Sequence, residues 1–415
     1  MHEPGINDLN KDIRFSGRVL NVEESPTFAL EKKADELDSI LKKEGRSVIR
    51  FGIGQPDFDT PENIKSAAKL SIDQNKTRYT ASTGIKELKE AILKKFERDN
   101  GLSYELSEIL VGNGAKQVLD DIMRVFINRG DRVIIPKPFW VSYSQQVILS
   151  EGIPEFVNFK DGLSIDVGHF SEIADKYGSA AGDGTAKLFI LNSPSNPTGV
   201  VCRKNEIEKI GEICLKNGIF IISDEVYEKF LYGDAKHYSI AALSTDLKAK
   251  TISINAVSKT YAMTGWRIGY CAADREIIKQ MTKVQDQSTS NPCTPAQWAA
   301  IEALDGNQAS VELMRKEYEK RRDYIYKRLA AIKGMECVLP EGAFYVFPKV
   351  SSFFDDKIKG SFDFAGELLL KAAVAVVPGG AFGDNDYIRI SYATSLEKIK
   401  EGMDRIEDFC AKLPG

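Results

Sequence analysis

Short, continuously apolar runs separated by helical sequence constrain this chain most. They fall at residues 109–111, 132–136, 187–191, 219–223, 251–254 and 268–271, and most are rich in Ile, Leu and Val without polar alternation. A strand with only one face buried alternates apolar and polar residues, whereas an unbroken run implies cover on both faces. The runs therefore predict a mainly parallel α/β sheet with helices on either side. Beyond residue 294 the pattern changes. A long charged helix over 309–332 precedes extended pieces at 344–347, 374–377 and 387–391 and a terminal amphipathic helix, which reads as a smaller α+β domain. Near the N-terminus, Phe28, Leu30, Ala34, Leu37 and Leu41 recur at helical spacing, and residues 51–56 read as an extended piece broken by Gly and Pro.

At 415 residues two domains are expected. A net charge of −4 without a long basic run gives no reason to expect nucleic acid, and apolar stretches such as 372–377 are too short to span a bilayer. The first eight residues are polar and acidic, unlike a signal or transit peptide. The six cysteines are scattered without a CxxC pair, which suggests a reduced cytoplasmic protein with buried thiols, and three unclustered histidines argue against a metal site.

Chemistry concentrates around Lys259, in Ala256-Val257-Ser258-Lys259-Thr260-Tyr261-Ala262-Met263-Thr264-Gly265-Trp266-Arg267. Its small and apolar neighbours are not needed by a solvated lysine, and Arg267 lies close enough to share a pocket and lower the amine's pKa. Asp224 ends an apolar run, where α/β sheets place ligands, although a helix N-cap would also suit it. Tyr227 follows three residues on. Asn196 stands in Asn196-Pro197-Thr198-Gly199, by itself a proline-rich turn. Gly112-Asn113-Gly114-Ala115-Lys116 joins a strand to a helix whose free amides would suit phosphate. Trp140 suits either ring stacking or a core. An amine, an arginine, a strand-end carboxylate and a tyrosine together suit pyridoxal 5'-phosphate (PLP): Schiff base, phosphate anchor and ring-nitrogen partner.

With Gly54-Gln55-Pro56-Asp57-Phe58, Thr83-Gly84, Pro138-Phe139-Trp140, Ser223-Asp224-Glu225-Val226-Tyr227, Gly342-Ala343-Phe344-Tyr345 and Arg389-Ile390-Ser391-Tyr392-Ala393, the chain resembles the class I/II PLP-dependent aminotransferases of fold type I. It looks closest to the bacterial aspartate aminotransferase branch, over residues 18–406. The resemblance implies an N-terminal arm and part of the small domain at 1–60, a large PLP-binding domain at 61–296 and a small domain at 297–415. It implies that Lys259 joins PLP and moves the proton, that Asp224 holds the pyridinium, and that Asn196 and Tyr227 meet the phenolic oxygen. Arg267 and the backbone of Gly114, Ala115 and Lys116 would bind phosphate, with Tyr79 reaching it from the other subunit of a homodimer. Arg389 would grip the substrate α-carboxylate, and Gly54 and Trp140 would complete the pocket. Where the family signature has Gly or Ser, three residues before the lysine, this chain has Ala256; Ser258 or a backbone amide would replace any missing hydroxyl.

No Lys or Arg lies between Lys283 and Arg315, where another branch carries an arginine for a distal carboxylate. Lys116 either meets that carboxylate or serves only the helix start, and Glu23 and Thr27 would line the entrance. The expected activity is transfer of the amino group of aspartate or glutamate to 2-oxoglutarate or oxaloacetate. Alternatives are an alanine, aromatic or prephenate aminotransferase, a cysteine-conjugate β-lyase, or a non-catalytic PLP-binding regulator.

Overall fold

The computed structural model describes residues 14–23, 26–178 and 184–413. Expectations for the first eight residues, and for the side chains of Thr27 and Phe28, lie outside the described set. Twelve strands are described: β1 Ile49–Arg50, β2 Ile109–Gly112, β3 Arg132–Pro136, β4 Ile153–Val157, β5 Ala186–Asn192, β6 Phe220–Asp224, β7 Thr251–Ala256, β8 Gly269–Ala272, β9 Tyr345–Val346, β10 Val374–Ala375, β11 Val377–Pro378 and β12 Ile388–Ser391.

Strands β2 to β8 form one sheet in the order β2-β8-β7-β6-β5-β3-β4. From β4 across to β7 every pairing is parallel; β8 runs antiparallel to both its neighbours. Successive strand residues point to opposite faces, and both faces are covered. Ile221 packs with Phe170, Phe189 and Ile210, while its neighbour Ile222 packs with Leu119, Ile122 and Met281. That double cover explains why the strands are largely apolar, and why the polar Thr251, Ser253 and Asn255 of β7 are buried too. Asn192, Asp224 and Ala256 end β5, β6 and β7 at the same edge, and Asn192 pairs directly with Asp224.

The C-terminal body holds the antiparallel trio β11-β12-β9 and the parallel pair β1-β10. Its core joins Tyr318 and Ile325 of helix Ala309–Ala330, Phe364 and Leu368 of Ser361–Ala372, and Ile399 and Phe409 of Leu396–Cys410 around Phe344. The N-terminal helix Pro26–Leu41 packs Ala34 and Leu41 on Leu369, Ala373 and Ala375 of this body. One difference from the expected division concerns helix Thr294–Asp305, which straddles residue 296. Its small residues Ala296, Ala299, Ala300 and Ala303 let it lie close against helices Glu62–Asp73 and Lys86–Lys95, so the helix stays with the large sheet. The thiols also differ from expectation: Cys293 is exposed and Cys337 half-buried, while Cys202, Cys214, Cys271 and Cys410 are buried.

Phe344 is fully buried, packs against Tyr318 and Phe230, and makes an edge contact with Tyr227 at 5.5 Å. Phe344→Ala should cost about 3–5 kcal/mol of stability through the cavity it leaves. Urea midpoints would measure this, and a loss below about 1 kcal/mol would contradict the packing described.

Candidate functional site

The strand ends of β5, β6 and β7 open into a cavity of about 500 Å³ lined by Asp224, Lys259, Arg389, Asn196, Tyr227 and Arg267, among others. Asp224 is carried there as the last residue of β6; it is fully buried and its Oδ2 accepts a 2.6 Å hydrogen bond from Tyr143. Its Oδ1 receives only a long 3.4 Å bond from the Val226 amide, which leaves that oxygen available to the cavity. Lys259 follows β7 in a single helical turn, Val257–Thr260, and its Nζ donates to the Gly54 carbonyl at 2.5 Å. Arg389, on β12, crosses from the C-terminal body. Its Nη1 donates to Asn196 Oδ1 at 3.0 Å and its Nη2 to the Gly52 carbonyl at 2.7 Å, while its Nε is buried without a partner. The rings of Tyr345 and Phe382 flank the guanidinium at 4.6 and 4.9 Å.

Burial dominates the electrostatics. It raises the Asp224 carboxyl to about 6, against the Tyr143 hydrogen bond that lowers it. Burial, with Arg389 and Arg267 nearby, lowers the Lys259 amine to about 8, so a useful fraction is neutral near pH 7. Burial and the hydrogen-bonded Tyr345 hydroxyl, 2.9 Å away, hold Tyr227 well above the ordinary phenol range, so it is a neutral hydroxyl.

A glycine-rich turn and a helix start share the cavity with the amine. Gly114 adopts φ 85° and starts helix Ala115–Phe126, whose first amides lack helical partners. A Cβ on Gly269 would sit 2.2 Å from the Ala115 nitrogen, so this close approach requires glycine. Arg267 is held in the left-handed region at φ 57°, with Nη1 on the Thr264 carbonyl and Nη2 on that of Asn113. A non-glycine residue kept there is strained, a feature that gathers at functional sites.

Of the residues singled out in the sequence, Lys259, Asp224, Tyr227, Asn196, Arg267, Ala115, Lys116, Trp140, Ser258, Gly54 and Arg389 line this one cavity, and Gly114 stands behind it against Arg267. Tyr79 does not join them: it is 93% exposed. Lys116 lies over the Trp140 ring at 5.0 Å, and burial lowers its pKa. Glu23 is not among the lining residues, and its amide donates to Gln145 Oε1. Instead Glu31, bonded to Arg50 at 2.8 Å, reaches the cavity from the N-terminal helix. Tyr143 was also missed. It lies three residues after Trp140, in helix Ser142–Leu149, and the two rings meet edge-on at 5.4 Å. His237, unclustered in the sequence, lies near Glu225 and Glu228.

Comparison with known proteins agrees with this geometry. The family model described as aminotransferase class I and II matches residues 46–406. The chain is 49% identical to an aspartate aminotransferase of Bacillus sp. (strain YM-2), covering 95% of this chain and 98% of the relative. It is 44% identical to an asparagine–oxo-acid transaminase of Streptococcus mutans, covering 96% of this chain and all of that one. The crystal structure of an aspartate aminotransferase from Rhizobium meliloti superposes with a TM-score of 0.88 at 40% identity, covering 97% of this chain and 100% of that one.

The Tyr143–Asp224 contact makes a pH prediction. Asp224 holds its proton more tightly folded (about 6) than an unfolded aspartate does, so this group's stabilising contribution is lost as pH rises from about 4 through 6. Tyr143→Phe removes the donor to the carboxylate and should deepen that loss and move it to higher pH. Urea midpoints of cofactor-stripped protein between pH 4 and 8 would show this; superimposable profiles would refute it.

Proposed function

Because the chain belongs to aminotransferase class I and II, we propose that it moves the α-amino group of aspartate or glutamate to 2-oxoglutarate or oxaloacetate, in a ping-pong cycle with pyridoxal 5'-phosphate. The observation that carries this proposal is one cavity holding an inward-turned amine, a buried carboxylate and a buried guanidinium, namely Lys259, Asp224 and Arg389.

The residues fit the cofactor by their chemistry. A glycine-made anion cradle stands beside Arg267, Asp224 keeps one oxygen open to the cavity, and Lys259 is shifted towards its neutral form. When bound, PLP supplies an electron sink for negative charge at the donor Cα. Lys259 would hold it covalently through Nζ, Asp224 would keep its ring nitrogen protonated, and Asn196 and Tyr227 would donate to its phenolic oxygen. Arg267 and the amides of Gly114, Ala115 and Lys116 would take the phosphate, with the Ser258 hydroxyl beside Ala256 within the same lining. Arg389 would bind the substrate α-carboxylate, its free Nε and planar fork matching two oxygens. Released from the cofactor, Lys259 Nζ would take the proton from the substrate Cα and return it during transfer. Gly54, whose carbonyl already holds that amine at 2.5 Å, and Trp140 would bound the substrate.

The proposal includes a cytoplasmic homodimer. Tyr79, exposed on its own chain, would reach the phosphate of the partner subunit. Lys116 would attract the distal carboxylate of aspartate or glutamate. A second reading, with asparagine as donor, is favoured by Glu31 in the same lining, because a carboxylate accepts from a side-chain amide and repels a second carboxylate.

Half-reactions of PLP-saturated enzyme with aspartate, glutamate, asparagine, alanine and phenylalanine test the donor. Aspartate and glutamate should react fastest. Asparagine leading would establish the second reading, and aspartate reacting no better than alanine would defeat the first. Arg389→Lys should lower kcat/KM by about 2–3 kcal/mol, the loss of a charge-assisted contact. Unchanged kinetics would move the carboxylate site elsewhere.

A further inference from the structure

Glu225 and Glu228 are sequence neighbours of Asp224 and Tyr227, yet they do not line the cavity. Both are buried, on the far side of the turn from it, in a closed polar cluster. Glu225 Oε1 accepts from the Ser223 and Ser239 hydroxyls at 2.7 and 2.6 Å. One Asn100 amide nitrogen donates to Glu225 Oε2 and Glu228 Oε2 at 3.0 and 2.8 Å. Glu228 Oε1 accepts from Asn255 Nδ2 at 2.9 Å and pairs with the buried Lys95 ammonium. Glu225, Glu228 and His237 stand close enough to share a metal ion. Even so, these donors already occupy the carboxylate oxygens, and an ion would have to displace them.

Asn255 connects the cluster to the rest of the site. Its Nδ2 also reaches the Glu225 carbonyl at 3.2 Å, and its own chain continues through Ala256 to Lys259. The turn bearing Asp224 and Tyr227 is thereby bonded to the strand end bearing the lysine.

His237 is the member whose charge can change near neutral pH. Its side chain is 9% exposed, and Nε2 lies 3.1 Å from Glu225 Oε2 and 4.0 Å from Glu228 Oε2. The 3.1 Å approach is too poorly directed to count as a formed hydrogen bond, and Nδ1 has no partner, so what a proton on the ring adds here is chiefly charge facing the two carboxylates. With His237 protonated, two cations face two anions. Without that proton, a buried negative charge is left over one residue from Asp224.

We infer that His237 is a positioning residue: as a buried cation it completes, with Lys95, the neutralisation of Glu225 and Glu228, and so holds Asp224, Tyr227 and the strand end before Lys259 in register. Its effect on the cofactor rests on the pyridoxal site proposed above; its protonation does not. Burial lowers the imidazole pKa, but Glu225 and then Glu228 raise it further, for a net rise. Burial raises Glu225 and the charge of His237 lowers it, for a net fall. Lys95 opposes the His237 rise, and the Arg98–Asp99–Lys229 ion group lies alongside, with Asp99 2.9 and 2.8 Å from the two cations. Since the folded His237 pKa is raised, its stabilisation is complete below about 6.5 and is lost as pH rises through the folded value.

The chain has three histidines, so ¹⁵N-histidine NMR of wild-type holoenzyme at pH 7.5, assigned with His2→Gln and His169→Gln, reads the charge directly. His237 should carry protons on both nitrogens; a neutral ring there would overturn the inference. His237→Gln should weaken PLP binding roughly tenfold and shift the pH midpoint of the bound cofactor's visible band, and Glu225→Gln in the same chain should restore both by removing the surplus anion. Wild-type affinity and spectrum with only a lower Tm, or a double variant no better than the single, would also overturn it. If the variants fail to fold, the NMR measurement decides. Wild-type protein that bound no PLP would instead defeat the proposed function, leaving the same NMR measurement on that PLP-free protein to judge His237.

Discussion

Three charged groups share one cavity without pairing with one another, and the rest of the structure is organised around keeping them so. Lys259 is held by a carbonyl, Asp224 by a tyrosine hydroxyl, and Arg389 by a carbonyl and an amide oxygen. Neutral partners stabilise a buried charge less than an opposite charge would, so the arrangement works against stability. It leaves each group free to meet a complementary ligand atom, and the unpartnered Nε of Arg389 is the clearest instance. A chain that keeps such groups unpaired must hold them apart by rigid surroundings.

Those surroundings come from both bodies. The doubly covered sheet fixes Asn192, Asp224 and Ala256 side by side, because parallel strands end at a common edge. Arg389 comes from the antiparallel trio across the cavity, braced by Tyr345 and Phe382. Phe344, at the centre of the C-terminal core, touches both Tyr345 and Tyr227, so packing in one body bears on a hydroxyl of the other. Behind the sheet edge, the Glu225–Glu228 cluster ties the aspartate turn to the lysine strand. Forces on the two sides of that edge therefore act on the same backbone.

Much of this was legible in the sequence where the signal is local. Unbroken apolar runs marked the strands, and strand ends followed by Asp224 or leading to Lys259 marked the cavity edge. Apolar residues at helical spacing marked the helix that became Pro26–Leu41, and a long charged stretch marked Ala309–Ala330. Distant pairings were not legible. Tyr143 meets Asp224 across 81 residues, and Glu31 reaches the cavity only because its helix packs on Leu369 and Ala373 of the C-terminal body. His237 looked isolated because Glu228 and Glu225, nine and twelve residues before it, are acidic rather than further histidines or cysteines, and nothing local shows that the chain folds back onto them. Tyr79 is 93% exposed on its own chain, so no packing signal within one chain marks it. Helix Thr294–Asp305 was divided between domains because alanine-rich sequence carries no sign of which surface it will meet.

The account stands on Lys259 being the residue that holds the cofactor. Borohydride reduction of the PLP-saturated protein, followed by proteolysis and mass spectrometry, would locate the attachment. The account predicts one pyridoxyl group per chain, on the peptide containing Lys259. A pyridoxyl group on Lys116 or on a surface lysine, with Lys259 unmodified, would contradict it.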